Sequence, residues 1–330
     1  MNEYKDILGH DEIKDNLQKA VEMDKVSHAY LFTGDAGCGK KTMAKVFAKT
    51  LLCEEAGTSP CCKCKSCLQV DSNNHPDLKI VTSEKVIPSK EEIRQQVVND
   101  AQIKPYSASK KVYIVPNAQL LRVETQNVLL KTIEEPPAYV VIIFTTDNMD
   151  SIIPTILSRC VKVKFKPIAE SLIKQHLMEK YEMVDYAAAV SAAFSAGSIG
   201  RAIKYSTTGD FENIKQTVVK MMKNIDTLEL HEIMEVVEEI VKDKDHIEDY
   251  IDMMLLWFRD VLMLKVTNDP NKVIYKEEYK YLSAQAKIRG YDGLEVIISA
   301  IENTKIRLKA NVHIETAMEL LVLTMKNPIV

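Results

Sequence analysis

Two short clusters of residues in this chain have types and spacings that could do chemistry. The first is Gly34-Asp-Ala-Gly37-Cys-Gly39-Lys40-Lys41-Thr42, which follows the apolar run Ala29 to Phe32 and leads into a stretch with helical spacing. Gly34, Gly37 and Gly39 allow main-chain N–H groups to converge on phosphate oxygens, and the start of the following helix adds partial positive charge. Lys40 is placed to reach the outer phosphates of ATP or ADP. The pattern is that of a phosphate-binding loop with one part missing. Lys41 stands where a Ser or Thr would ligate magnesium, and its ammonium competes with the cation. Thr42 comes one residue late, which on a helix turns its hydroxyl away by roughly 100°. Residual nucleotide binding without a metal stays open, because the glycines and Lys40 remain.

The second cluster holds five of the seven cysteines, at positions 53, 61, 62, 64 and 67. Two successive C-x2-C steps, Cys61 to Cys64 and Cys64 to Cys67, together with Cys53, can close a tetrahedral thiolate site for Zn2+. With all four vertices filled by Cys53, Cys61, Cys64 and Cys67, such a site is structural, since no position is left for water. Cys62 is the spare thiol, and a ligand set with Cys62 in place of Cys61 is compatible with the spacing. Lys63 and Lys65 add positive charge beside the thiolates. Cys38 and Cys160 have no metal partner nearby in sequence and read as small packed side chains.

These clusters need elements to hold them. The 330 residues are 46% hydrophobic and 27% charged, which excludes disorder as the main character. Net charge is −4, so the whole-molecule field does not favour nucleic acid, and any such contact needs a local basic surface. The longest apolar runs, Tyr139 to Phe144 and Met253 to Phe258, are too short to cross a bilayer, and the charged N-terminus does not resemble a secretory signal. The expectation is a cytoplasmic protein with no membrane partner.

Short β-type runs at Ala29 to Phe32, Leu78 to Val81, Val112 to Val115 and Val140 to Thr145 alternate with helical spacings. The latter comprise Met43, Val46, Phe47 and Leu51; Ile93, Val97 and Ala101; and Val123, Asn127, Leu130 and Ile133. Strands alternating with helices predict an α/β domain with a mostly parallel sheet covered on both faces. After Pro167 the pattern becomes helical, with breaks near Ala196 to Gly200, Thr207 to Gly209 and Asn268 to Pro270. Apolar stripes at Ile251, Met254, Leu255, Phe258 and Leu262, and at Ala317, Leu320, Leu321 and Leu323, predict core faces or partner surfaces, with Trp257 as an anchor of either.

An ATPase built on the loop would also need an acid at the end of a downstream strand. The candidate strand, Lys111 to Val115, runs instead into Pro116-Asn117. Without an Asp to hold magnesium or a Glu to polarise water, no residue there activates the nucleophile. Lys41 and Pro116-Asn117 both predict a chain that does not hydrolyse nucleotide efficiently.

Further runs carry a resemblance: Ile7-Leu-Gly-His10, Ser27 to Gly34, the cysteine insertion, His75-Pro-Asp77, Asn127 to Pro137 and Pro154-Thr-Ile-Leu-Ser-Arg159-Cys160. In this order they resemble the AAA+ subunits of bacterial clamp loaders. Gly197 to Arg201, Trp257 to Asp260 and Leu308 to Asn311 agree more loosely. The resemblance implies an AAA+ (P-loop NTPase-like) parallel-sheet domain over 1–166 with the cysteine module at 53–67, a small helical lid over 167–208, and an all-helical collar over 209–330. Lys41 and Pro116-Asn117 make the delta prime-type branch of that family a better match than the hydrolysing gamma/tau type. The implied role is a stator in a ring with gamma/tau and delta subunits that places a sliding clamp on primed DNA within DNA polymerase III. In that setting Arg159 resembles an arginine finger, completing a neighbouring subunit's ATP site in trans. Arg201 follows Gly200, where relatives carry a nucleotide-sensing arginine directly after Gly-Ser, so its side chain lies on another helical face. An active gamma/tau-like ATPase and a zinc-bearing DNA-binding module are the alternatives.

Overall fold

The structure, a computed structural model, is described for residues 3–83, 87–207, 210–309 and 312–328. The chain packs as two compact units. One comprises Met1–Glu182 with Ser195–Ala202, the other Met183–Phe194 with Ile203–Val330. Residues expected as a separate lid, 167–208, contribute to both. Residues 208 and 209, where the second expected boundary falls, lie outside the described residues, as do Ala310 and Asn311 of the C-terminal run.

In the first unit, helix α1 (Asp11–Glu22) precedes strand β1 (Ala29–Thr33), and the glycine-rich turn leads into α2 (Lys40–Leu52). There follow α3 (Lys65–Asp71), β2 (Leu78–Ile80), α4 (Lys90–Ile93), β3 (Lys111–Val115), α5 (Val123–Glu134), β4 (Val140–Thr146), α6 (Pro154–Leu157), β5 (Val161–Lys164) and α7 (Glu170–Tyr181). The strands form one parallel sheet in the order β2-β3-β4-β1-β5, with Ala29 beside Ile142 and Tyr30 beside Val161. Every residue of β1, β3 and β4 is buried, as expected for a parallel sheet covered on both faces.

Alternation sorts these strands into two cores. Tyr30, Phe32, Val112, Ile114, Val141 and Ile143 pack with Leu17, Met43 and Phe47. Ala29, Leu31, Tyr113, Val115, Ile142 and Phe144 pack on the other side with Ile93, Val97, Leu129 and Ile133. On α5 the buried positions are Thr125, Gln126, Leu129, Thr132 and Ile133, whereas Val123 is 59% exposed and Asn127 is also exposed. The inward face is therefore displaced from the apolar set read in sequence, because Gln126 is drawn inside by backbone carbonyls. The segment carrying Ile93, Val97 and Ala101 changes from α4 to a π-helical stretch (Arg94–Asn99) and then a 3-10 turn (Asp100–Gln102). Strand β5, not anticipated from the sequence, forms one edge of the sheet.

The second unit is helical, built from α8 (Asp185–Phe194), the end of α9 (Ile199–Thr207), α10 (Asp210–Asn224), α11 (Leu230–Lys242), α12 (Ile247–Thr267), α13 (Tyr279–Ile288), α14 (Tyr291–Lys309) and α15 (Ile314–Lys326). The Trp257 side chain is fully buried, its Nε1–H donating to Gln285 Oε1 at 2.9 Å, so it anchors this core. The α12 stripe faces inward. The α15 stripe divides: Ala317 and Leu321 are buried, while Leu320 and Leu323 are exposed. Among the described residues no helix is long and apolar enough to cross a membrane.

Candidate functional site

The glycine-rich turn lies where its spacing predicts, between β1 and α2. Gly34, Gly37 and Gly39 have φ of 150°, 76° and 94°, values that favour glycine. The Lys40 side chain is only 7% exposed and is folded onto its own loop. Its Nζ donates to the carbonyl oxygens of Gly34 (2.6 Å) and Asp35 (2.7 Å) and pairs with Asp147 Oδ1 at 2.8 Å. Lys41 is exposed and Thr42 half-buried, at the second and third positions of α2.

Two other segments hold the loop from outside. The Ser198 hydroxyl donates to the Ala36 carbonyl (2.9 Å), and the Gly200 N–H donates to the Gly37 carbonyl (2.9 Å). Ser198 also caps α9, its Oγ accepting the Arg201 N–H at 3.3 Å. The approach is close enough that a Cβ on Gly37 would lie 2.4 Å from Ser198 Oγ, and one on Gly200 would lie 2.9 Å from Gly37 Cα. His10 Nε2 meets the Cys38 carbonyl at 3.0 Å, and burial holds this imidazole below its ordinary pKa. The loop is thus clasped through its own carbonyls and its lysine.

Strand β3 ends at Pro116-Asn117, where the Asn117 N–H donates to Thr145 Oγ1 at 3.2 Å, and no acid stands at that strand end. The carboxylate that meets Lys40 comes from the adjacent β4, one residue past its end. Asp147 does not stand out in the sequence, because it follows β4 and not β3, the strand whose end would carry the acid of an ATPase. Its signal was an acid directly after the most apolar strand.

The cysteine cluster converges as a tetrad. One ligand atom from each of Cys53, Cys61, Cys64 and Cys67 lies within 4.8 Å of all the others, and the Cys61 and Cys67 sulfurs are 3.9 Å apart. A tetrahedron of Zn–S bonds of about 2.3 Å has edges of about 3.8 Å, so the donor set and its spacing fit zinc. Backbone N–H groups already point at the sulfurs: Cys64 N to Cys61 Sγ and Cys67 N to Cys64 Sγ, each at 3.3 Å. The N–H groups of Lys63 and Cys64 pull the Cys61 thiol down to about 7, whereas burial pushes the Cys53 and Cys67 thiols up. A divalent cation inside the tetrad would reverse that burial effect. Cys62 lies outside the tetrad. It has φ 59°, and its Sγ accepts from Lys49 Nζ at 3.4 Å. Lys49 is buried and pairs with Asp71 at 2.7 Å.

A hydrogen-bonded chain joins this module to the sheet. Between Cys64 and Cys67, Ser66 Oγ donates to the Leu52 carbonyl (2.6 Å) and meets His75 Nε2 at 2.7 Å. The Asp77 N–H donates to His75 Nδ1 at 3.0 Å, which fixes the proton on Nε2. Burial opposes the charge on Asp77, but the N–H groups of Tyr106, Ser107 and Ala108 outweigh it and hold the carboxyl below its ordinary pKa. The motif His75-Pro-Asp77 is therefore a brace between the cysteine module, β2 and the loop before β3.

Arg159 lies in the turn that follows α6, two residues past the helix end, and is exposed. Its guanidinium donates to the Thr155 carbonyl (3.1 Å) and Ser158 Oγ (3.2 Å) and pairs with Glu134 Oε1 at 3.0 Å. These partners belong to α5 and α6 and not to the glycine-rich turn. Gln126 positions the chain leading to it: its Nε2 donates to the Leu121 and Ser151 carbonyls, and its Oε1 accepts the Ile153 N–H. Cys38 and Cys160 are buried, and Arg201 is half-buried.

A parallel β2-β3-β4-β1-β5 sheet with a glycine-rich turn of P-loop spacing after β1 and a helical region beyond defines a fold of the AAA+ class. The relatives in sequence, a delta' subunit above all, show the family. The family described as "DNA polymerase III, delta subunit" matches residues 9–169. The delta' subunit of DNA polymerase III from Bacillus subtilis is 30% identical, with 94% of each chain covered. The tau subunit of the same bacterium is 26% identical over 96% of this chain and 60% of its own length. A solved gamma subunit-related protein from Thermotoga maritima is 14% identical with a TM-score of 0.43, over 95% of this chain and 98% of that one. The chain belongs to the gamma/tau and delta' family of DNA polymerase III clamp-loader subunits.

Proposed function

We propose that this chain is a delta prime-type stator: a subunit that does not hydrolyse ATP itself but assembles with gamma/tau and delta subunits to load a sliding clamp on primed DNA in the cytoplasm. The observation that carries this reading is the state of Lys40, whose ammonium is bound by two carbonyls of its own loop and by Asp147. Lys41 in place of a hydroxyl and the missing acid after β3 support it independently. The near-complete mutual coverage with a delta' subunit adds weight. The division into 1–166, 167–208 and 209–330 as AAA+ domain, lid and collar belongs to the same reading, as does a structural Zn2+ on Cys53, Cys61, Cys64 and Cys67.

Within this reading Arg159 is an arginine finger. Its planar fork is exposed and held by Glu134, a surface carboxylate that a more highly charged γ-phosphate can displace. The chemistry takes place on ATP bound by a neighbouring gamma/tau subunit, where the guanidinium stabilises charge that develops as the phosphoryl group transfers. The test is reconstitution of the loader with Arg159→Ala. Hydrolysis at the adjoining site is expected to fall by about 10³ with assembly intact; an unchanged DNA-stimulated ATPase overturns the assignment. The likeness to tau over 96% of this chain supports a second reading, an active gamma/tau-like ATPase. Turnover of ATP by the purified chain at a gamma/tau rate would favour it.

A further inference from the structure

Strand β5 is an open edge beside a cleft. Among the described residues it pairs with β1 alone, and on its far side α1 stands off to leave a cavity of about 430 Å³. Ile13, Leu17 and Ala20 of α1 line one wall, and Val161 and Val163 line the other, above Tyr30. Val161 is 45% exposed, although the neighbouring strands are wholly buried. The Phe165 N–H donates to the Thr33 carbonyl, so by the strand's period of two the main-chain groups of Val161 and Val163 turn to β1. Those of Lys162 and Lys164 then turn to the free edge. The rim carries Lys25, Lys162, Lys164 and Lys166 against a single acid, Glu12.

We infer that this edge is a docking site for an extended acidic peptide segment of a partner protein, which adds to β5 as a sixth strand. Backbone groups of Lys162 and Lys164 would supply the ladder hydrogen bonds. Alternate apolar side chains of the peptide would fill the cleft over Val161, Val163 and Leu17, and the intervening carboxylates would meet the lysine rim. Edge lysines also deter pairing of a sheet with a copy of itself. That repulsion acts against a second copy of this edge, which carries the same charge, and leaves an oppositely charged strand as the favoured occupant. Single-stranded nucleic acid fits less well. The cleft floor is aliphatic, and Tyr30 is 3% exposed with its hydroxyl engaged by the Ser27 N–H, so no aromatic face is open for base stacking.

The test uses the full chain and a fluorescent eight-residue peptide alternating Glu with Val and Leu, read by anisotropy. Saturable binding is expected, and a Lys-for-Glu version of the peptide should not bind. Paired Lys162→Glu and Lys164→Glu substitutions should weaken binding by about tenfold or more. Lys164→Pro removes an outward N–H and spares the bonds to β1, so it should weaken binding by about tenfold, against less than about threefold for Lys164→Ala. If Lys164→Pro does not fold, peptide N-methylated at alternate residues makes the same cut from the other side and should not bind. Equal effects of Pro and Ala in the folded variants, undiminished binding of N-methylated peptide, no binding at all, or displacement of the peptide by oligothymidine would each overturn the proposal.

Discussion

The glycine-rich turn and the cysteine tetrad are joined by one helix, α2, and both aim backbone N–H groups or a cation at electron-rich atoms. They differ in where those atoms come from. In the turn the partners lie within the chain: Lys40 is met by Gly34, Asp35 and Asp147, and the Ala36 and Gly37 carbonyls by Ser198 and Gly200. In the tetrad four sulfurs converge to within 4.8 Å of one another, a donor set that an ion from outside could close. The turn is closed by groups of the chain itself, whereas the tetrad presents donors that a divalent cation could bring together.

This contrast can be broken most severely at the tetrad. Cys64→Ser removes a vertex and the N–H···S contact from Cys67, and should destabilise the first unit by about 4 kcal/mol, as loss of a structural metal does. Metal analysis should fall from about one zinc per chain to near none. Zinc below that level in the unaltered protein would mean that the tetrad, like the turn, closes on itself. A smaller effect is expected at the turn. Lys40→Met removes two charge-assisted hydrogen bonds but leaves Asp147 partly open to water, at a cost of about 1–2 kcal/mol in urea denaturation. The assembled loader should retain its ATPase. Loss of ATP binding with no change in stability would return the turn to the role of a nucleotide site. The smallest effect sharpens the same point: Lys41→Thr restores the hydroxyl on an exposed position and should shift stability by less than about 0.5 kcal/mol. With no acid after β3, ATP turnover by the chain should rise by less than about twofold; a large gain would show that only the hydroxyl was missing.

What was legible in the sequence follows from this chemistry. The turn and the tetrad could be read because their function requires fixed residue types at fixed short spacing, and the sheet because its central strands are continuous apolar runs. Strand β5 was hidden because four residues alternating Val and Lys, Val161 to Lys164, have the pattern of a half-exposed edge and not of a buried strand. Asp147 and the Ser198 to Gly200 clasp reach the loop through sheet order and chain return, which local spacing does not encode. The pairing of Arg159 with Glu134 joins the ends of two helices separated by a strand. Gln126 could not be distinguished from a solvent-facing residue, since its burial depends on three backbone partners outside its own helix.

The clasp between Gly37 and Gly200 sets how the loop could change. It is made of two main-chain groups and one hydroxyl, with no room for a Cβ at either glycine. Exchanging side chains at Lys40 or Lys41 leaves it closed, because neither takes part in it. Any opening of the loop that displaces the Ala36 and Gly37 carbonyls must therefore also move the backbone at the start of α9, whichever side chains stand at positions 40 and 41.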